Sequence, residues 1–117
     1  MKKKTNAQLK KDLWKVFSRF IRIRDKGICF TCGRQCEGKG YHAGHFIPRS
    51  VGGLSLYFNE NNVNGQCYNC NINLSGNQWE YGQQLGDKKV VELMELKGKY
   101  RKITDQEYID LIEKYTI

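Results

Sequence analysis

The sequence lacks long apolar runs, and this limits where the protein can act. No segment approaches the roughly 18 apolar residues that a membrane-spanning helix needs, so no membrane partner is expected. The basic start, MKKKTNAQLKKDLWK, is not followed by the apolar segment of a secretory signal peptide. We therefore expect a cytoplasmic protein whose cysteine thiols stay reduced.

Acidic residues are also scarce. The chain has 12 Asp and Glu against 20 Lys and Arg, which gives a formal net charge of +8 and a pI near 9.3. This balance favours a polyanionic partner, with nucleic acid first, over an acidic small molecule. A basic surface that only serves solubility is the alternative.

The length of 117 residues corresponds to one domain with a modest core that a bound metal would help to stabilise. No internal repeat, low-complexity segment or second domain is recognisable. We divide the chain into a basic tail (1–8), a basic helix (9–25), a cysteine-containing core (28–76) and a helical C-terminal part (77–117). The predicted fold class is α+β.

Helix signals flank the core. In residues 9–24, apolar side chains recur at helical spacing, which predicts an amphipathic helix. The basic residues on its other faces are either simply solvated or contact phosphates. Further helices are predicted around 79–85 and 88–96. A last helix opens with the capping box Thr104-x-x-Glu107.

Residues 41–58 predict two strands around a loop. Pro48 ends the first strand and two glycines allow the turn. Leu54, Leu56 and Phe58 alternate with polar or aromatic neighbours, as on a half-buried second strand.

Four of the five cysteines form two Cys-x-x-Cys knuckles, Cys29/Cys32 and Cys67/Cys70, separated by residues 33–66. Each knuckle offers two thiolates at the spacing of adjacent corners of a tetrahedron, so together they predict one structural Zn²⁺ site. A redox-active pair is the alternative. Cys36 is either a spare thiol or a substitute for Cys32.

Only two histidines are present, His42 and His45, both in the first predicted strand. A four-cysteine zinc site has no open coordination position, so catalysis would have to come from other residues. Asparagines cluster near the second knuckle, among them Asn62 and Asn71. Each of these, taken alone, also fits a turn or a helix cap.

The order of His45, Asn62 and Asn71 around the knuckle resembles the HNH endonucleases, whose ββα-metal motif often lies between two Cys-x-x-Cys pairs. FIRIRDKGICFTCG, AGHF, LYFNENNVNGQCYNCN and SGN resemble more narrowly the NinG (Rap) recombination endonucleases of lambda-like phages. The likeness runs from about residue 17 to 115. It implies a single zinc-stapled HNH domain flanked by helices and acting in the bacterial host cytoplasm.

The resemblance also implies roles for these residues. A neutral His45 would be the general base that activates water against a DNA phosphodiester. Asn71 would bind a divalent cation, expected to be Mg²⁺ with Mn²⁺ as the alternative, and Asn62 would brace the loop and the His45 strand.

Two further cation ligands are predicted. HNH enzymes often carry an acid or a histidine directly before the catalytic histidine, where this chain has Gly44. NinG-like relatives have Asp at the position of His42, and a bulge at Gly44 would turn His42 and His45 to one face. Ser75, four residues after Asn71, would share its helical face.

Arg49, Lys15, Arg19 and Arg22 are the predicted DNA contacts, with the KGKYRK segment (97–102) as a weaker candidate. No base-reading pattern accompanies them, which favours recognition of branched DNA, such as a Holliday junction, by its shape. A homodimer would supply the two cuts that such a junction needs. The rival predictions are a non-catalytic zinc-containing DNA-binding module and a sequence-specific HNH nuclease.

Overall fold

The computed structural model describes residues 3–99 and 101–117. The helices and strands follow one another as α1 (Asn6–Arg24), a 3₁₀ turn (Gly38–Gly40), β1 (Tyr41–His45), α2 (Arg49–Gly52), α3 (Leu54–Tyr57), β2 (Val63–Cys67), a π-helical turn (Asn69–Asn73), α4 (Gln78–Leu85), α5 (Asp87–Leu96) and α6 (Asp105–Tyr115). This is a small α+β domain. No helix in the described part of the chain is long and apolar enough to cross a membrane.

The basic helix begins earlier than predicted. The Thr5 hydroxyl accepts a hydrogen bond from the Gln8 backbone N–H, and the Gln8 side chain accepts one from the Thr5 N–H, so a capping box starts α1 at Asn6. Leu9, Leu13 and other apolar residues of the predicted face are buried. The helix prediction is therefore confirmed, with its first turn added.

The second predicted strand is wrong. Residues 49–57 form two short helices, α2 and α3, separated by Gly53, whose φ of 74° lies in the left-handed region. The real partner of β1 is β2, Val63–Cys67, which pairs antiparallel with Tyr41 opposite Cys67 and His45 opposite Val63. Leu54 and Phe58 pack against one apolar cluster and Leu56 belongs to another, so the alternation came from two faces of this segment.

β2 escaped detection because it is polar in sequence yet fully buried. All five of its residues are buried, including Asn64 and Gln66. Tertiary contacts satisfy much of their polarity: Asn64 donates to the Tyr81 hydroxyl at 3.1 Å, and Gln66 donates to the Gly76 carbonyl at 2.9 Å. A buried polar strand stabilised by such contacts has no apolar period of its own.

Two apolar clusters hold the sheet from either side. The first joins α1, β2 and α6 through Leu9, Leu13, Phe17, Ile21, Val63, Ile103, Tyr108 and Tyr115. The second joins the segment after β1 to α4 and α5 through Ile47, Leu56, Tyr81, Leu85 and Leu93. The first cluster thus joins the sheet to α1 and α6, and Tyr81 joins it to α4 by donating a hydrogen bond to the Gly44 carbonyl.

An ion pair locks the end of α1 to β2. The Arg24 guanidinium lies 2.7 Å from Asp25 and also donates to the carbonyl of Val63. Asp25 in turn accepts from the Gly65 N–H at 2.7 Å. Because both charged groups also hydrogen-bond the strand backbone, they fix the angle at which α1 leaves the sheet.

The C-terminal helices follow the prediction closely. α4 and α5 cover the two predicted segments, and the capping box is present, with Thr104 and Glu107 bonding each other's backbone N–H groups. The KGKYRK segment lies partly outside the described residues, because residue 100 is not described.

Candidate active site and metal centre

The two knuckles bring four cysteine sulfurs together. The Sγ atoms of Cys29, Cys32, Cys67 and Cys70 all lie within 4.8 Å of one another, and the Cys32–Cys67 pair is 3.7 Å apart. Tetrahedral Zn²⁺ with sulfurs at about 2.3 Å would hold them about 3.8 Å apart. These four residues could therefore bind a structural metal ion such as zinc, and Cys36 is not one of them.

The surroundings of the cysteines suit thiolate ligands. Burial works to raise the pKa of Cys29, but hydrogen bonds from the Thr31 hydroxyl and from backbone groups outweigh it and lower the pKa to about 6. The Cys70 N–H lies 3.4 Å from the Cys67 sulfur, and Asn77 donates to Cys70 at 3.6 Å. These donors favour the ionised form that binds a metal, whereas burial and then the neighbouring thiols raise the pKa of Cys32 and Cys70.

The second knuckle leads directly into the turn that carries Asn71. This turn, Asn69–Asn73, is a π-helical turn whose wider ring places the Asn71 amide against β1. Asn71 Nδ2 lies 2.9 Å from His42 Nδ1. The His42 Nε2–H donates to the Lys39 carbonyl at 3.1 Å, so Nδ1 carries the lone pair.

The His42–Asn71 contact has the spacing of a cation site. Two neighbouring ligands of an octahedral Mg²⁺ at about 2.1 Å lie about 3 Å apart. The oxygen and nitrogen of an asparagine amide are interchangeable in shape, so a half-turn of Asn71 would set its Oδ1 beside the His42 lone pair. In that orientation the two residues could each offer one ligand atom to a divalent cation, in place of the hydrogen bond that joins them here.

The packing of Gln66 and Asn71 against β1 leaves no room for a side chain at residue 44. A Cβ at residue 44 would overlap the side-chain oxygen of Gln66 and lie 2.9 Å from the Asn71 oxygen. Gln66 is fully buried, and its oxygen has no hydrogen-bond partner among the described residues. Two amide side chains thus occupy the space that a side chain at residue 44 would need.

Ser75 is not placed on the face of Asn71. The π-helical turn ends at Asn73, and Ser75 lies beyond it in a turn with a φ of 50°. The spacing of four residues would align the two side chains only on a continuous α-helix, so that argument for Ser75 as a ligand fails.

The predicted bulge at Gly44 is also wrong. All five residues of β1 pair in regular register with β2. Side chains therefore alternate along the strand: His42 contacts Asn71 and Tyr68, whereas His45 contacts Trp14 and Tyr57. The two histidines have separate environments.

The surroundings of His45 orient its ring and favour the neutral imidazole. Its Nε2–H donates to the Tyr57 carbonyl at 2.9 Å, which leaves the lone pair on Nδ1. The ring stacks on Trp14, with centroids 5.2 Å apart, and packs against Tyr57 at 4.8 Å. Burial lowers the pKa of His45, the Tyr57 hydrogen bond opposes it with a smaller effect than burial, and the charge of Arg49 lowers the pKa a little further.

Asn62 ties the loop after β1 to α3. Its Oδ1 accepts from the Ile47 N–H at 2.8 Å, and its Nδ2 donates to the carbonyls of Ile47 and Leu56 at 3.0 and 2.9 Å. The side chain is fully buried. Because the Asn62 carbonyl also accepts from the Phe46 N–H, the residue fixes the chain next to His45.

The four predicted DNA contacts lie in three different places. Arg22 is half-buried and lines a cleft of about 290 Å³ together with Trp14, Ser18, Tyr41, His42, Ala43 and Asn71. Arg49 lies near Tyr57, with its guanidinium carbon 5.5 Å from the Tyr57 ring centroid. Lys15 and Arg19 are exposed on α1 and line neither of these places.

Trp14 and Tyr57 contact His45, but neither was among the site residues predicted from the sequence. Trp14 reaches it only because α1 packs across the sheet. The available signal was the spacing of Trp14, Ser18 and Arg22, which puts them on one face of α1. Tyr57 accepts the His45 hydrogen bond through its backbone carbonyl. Every residue type has this group, so the sequence could not indicate the contact.

The chain was compared with known proteins. Neither the curated proteins nor the solved structures gave a match. A family model described as Bacteriophage Lambda NinG protein matches residues 1–117. Because this match spans the whole sequence, the chain belongs to the NinG family.

Proposed function

We propose that this protein is a metal-dependent, structure-specific DNA endonuclease with an HNH-type core, which hydrolyses phosphodiester bonds in branched recombination intermediates. One observation carries the proposal. His45 is held as a neutral imidazole with its lone pair on Nδ1, and the same β1 strand carries His42 against Asn71 at the spacing of a cation site. Family membership supports a role in phage recombination.

The proposed chemistry follows from the side chains. His45 Nδ1 takes a proton from a water molecule as its oxygen attacks phosphorus, and the bond from phosphorus to the 3′-oxygen breaks. Tyr57 holds the imidazole through Nε2, so the base stays oriented while it becomes charged. His42 and Asn71 could hold a divalent cation, which would stabilise negative charge on the DNA backbone from the face of β1 opposite His45.

The metal held by the four cysteines has a structural role in this proposal. A site closed by four thiolates has no position for water or substrate. Cys67 and Cys70 bracket the start of the turn that presents Asn71. The zinc would therefore fix the catalytic turn without joining the reaction.

The preference for branched DNA is supported by family membership and by the basic charge of +8 without a base-reading pattern. A homodimer would place two active sites on one junction. The natural site of action would be the bacterial cytoplasm during phage growth.

Cleavage of end-labelled substrates tests this proposal. A four-way junction, a flap and a linear duplex of the same sequence are incubated with the protein and Mg²⁺ or Mn²⁺. Cation-dependent cutting of the branched substrates alone is expected. Cutting of the linear duplex at one fixed sequence would instead indicate a sequence-specific HNH nuclease.

A non-catalytic DNA-binding module is the second candidate, and two observations favour it. Gly44 stands where HNH enzymes often have an acidic ligand, and Trp14 covers one face of the His45 ring. Under this function the protein binds the junction with the same affinity with or without a divalent cation and releases no product.

A further inference from the structure

A basic pocket lies beside His45, apart from the cleft that contains His42 and Asn71. Its volume is about 340 Å³, roughly that of ten waters at about 30 Å³ each, so it can admit a phosphate group with some of its water. The lining residues come from α1, α2 and α3: Ala7, Lys10, Lys11, Trp14, Arg49 and Tyr57. The sequence predicted Arg49 as a DNA contact, and the fold places Lys10 and Lys11 beside it.

The cations of this pocket are held close to one another. Lys10 Nζ lies 5.3 Å from the Tyr57 ring centroid, and the Arg49 guanidinium carbon lies 5.5 Å from the same centroid. Both distances are typical of cation–π contacts. Burial and then the charge of Arg49 lower the pKa of Lys10, as expected where two cations face one cavity.

No carboxylate balances this charge within the described ranges 3–99 and 101–117. Other cations of the chain, such as Lys4 and Arg24, have carboxylates within 4.0 Å, but Lys10, Lys11 and Arg49 have none. Cations gathered without a counter-ion create a local positive potential that favours uptake of an anion.

The pocket shares two of its lining residues with the surroundings of His45. Tyr57, which both cations contact, also packs against the His45 ring and accepts its hydrogen bond. Trp14 lines the basic pocket and the His42–Asn71 cleft. An anion in the pocket would therefore lie close to His45, because Trp14 and Tyr57 line the pocket and also contact the His45 ring.

We propose that this pocket binds a backbone phosphate of the DNA strand, next along the strand from the phosphate presented to His45. Arg49 would hold the phosphate through its planar donors, and Lys10 and Lys11 would add point charges. The proposal rests on the proposed function for the identity of the partner as DNA and for the presentation of a neighbouring phosphate to His45, whereas phosphate binding in the pocket itself does not depend on cleavage. It makes the pocket a second anchor that sets the path of the strand across His45.

The salt dependence of binding tests this directly. Binding of a labelled four-way junction is measured between roughly 50 and 200 mM salt, with no divalent cation added, so that cleavage does not interfere. Each phosphate contact contributes about 0.9 to the slope of log affinity against log salt concentration. Lys10→Ala and Arg49→Ala should each lower the slope by about 1, and the double variant by about 2.

Lys114→Ala is the matched control. Lys114 also lies over a tyrosine ring, 5.2 Å from the Tyr115 centroid, but it has the Glu60 carboxylate 3.9 Å away. Its removal should leave the slope unchanged. All these lysine and arginine side chains are at least partly exposed, so circular dichroism should show the natural fold in every variant.

The outcomes separate the two proposals. An unchanged slope in Lys10→Ala and Arg49→Ala, or a natural protein that does not bind the junction, would overturn the pocket as a phosphate site. A lowered slope in a protein that never cuts DNA with Mg²⁺ or Mn²⁺ would uphold the pocket and overturn the nuclease.

Discussion

The indole of Trp14 stacks on the imidazole of His45, with ring centroids 5.2 Å apart and planes inclined by 21°. This contact joins the N-terminal helix to the residue that we propose as the general base. It limits the water around the ring and fixes the ring plane while Tyr57 fixes Nε2. Trp14 is thus proposed as a positioning residue that acts through His45.

The stacking predicts a pH dependence. Burial disfavours the charged imidazolium and lowers the pKa of His45 from its ordinary value of 6.5. Half of the His45 side chains therefore become protonated only at a pH below 6.5. The value of kcat/KM should therefore fall on acidification with a midpoint below pH 6.5. In Trp14→Ala, water reaches the ring and the midpoint should move up toward 6.5, whereas Trp14→Phe should stay close to the natural protein.

Initial cleavage rates across pH 5 to about 8, a range that spans the histidine titration, give these midpoints. Identical midpoints in the natural protein and Trp14→Ala would show that the indole does not set the protonation of His45.

Zinc should be structural and bound by four thiolates. The natural protein should contain one Zn²⁺ per chain, and Cys67→Ser should lose it and unfold at lower temperature, because the two knuckles then have only three thiolates. Cys36→Ser is the control, since Cys36 lies outside the cluster. Elemental analysis and thermal unfolding measure both effects, and equal zinc loss in the two variants would contradict the assigned ligand set.

Asn62 should contribute strongly to stability. Asn62→Leu leaves the N–H and carbonyl of Ile47 and the carbonyl of Leu56 without their partner, at about 1–3 kcal/mol for each buried group. We expect a loss of about 3 kcal/mol or more in the free energy of unfolding, measured in urea. Asn61→Ala, at an exposed neighbouring position, should change it by less than about 0.5 kcal/mol. Similar losses in both variants would refute the bracing role.

The sequence predicted the local features of this fold well. The capping box at Thr104 and the two cysteine knuckles depend on residues close in the chain, and the structure contains them. β2 was missed because the burial of Asn64 and Gln66 depends on Tyr81, Thr31 and Gly76, which are distant in sequence. The local pattern of polar residues there resembles a loop.

The candidate site was predictable to the extent that it uses side chains in β1 and in the turn after the second knuckle. The contact of His42 with Asn71 joins two residues that the sequence had singled out. The contacts of His45 with Trp14 and of Lys10 and Arg49 with Tyr57 depend on how α1 crosses the sheet. That crossing is set by long-range packing, so periodicity within α1 could not supply it.

We predict that His42 and Asn71 bind the divalent cation and that Ser75 does not. His42→Ala and Asn71→Ala should each weaken Mn²⁺ binding at least about tenfold, which is about 1.4 kcal/mol, because each removes one inner ligand. Ser75→Ala is the matched control and should bind as the natural protein does, since Ser75 lies beyond the π-helical turn. Electron paramagnetic resonance of Mn²⁺ in zinc-loaded protein gives the affinities, and a loss in Ser75→Ala alone would reverse this ligand assignment.

The most direct measurement of the central claim compares the natural protein with His45→Ala on a labelled four-way junction, with Mg²⁺ or Mn²⁺ present. Cleavage and binding are followed in parallel. The account predicts that the natural protein cuts the junction only with the cation, and that His45→Ala binds the junction but leaves it intact. Cutting by His45→Ala at the natural rate, or binding without cutting by both proteins, would contradict the assignment of His45 as the general base of a nuclease.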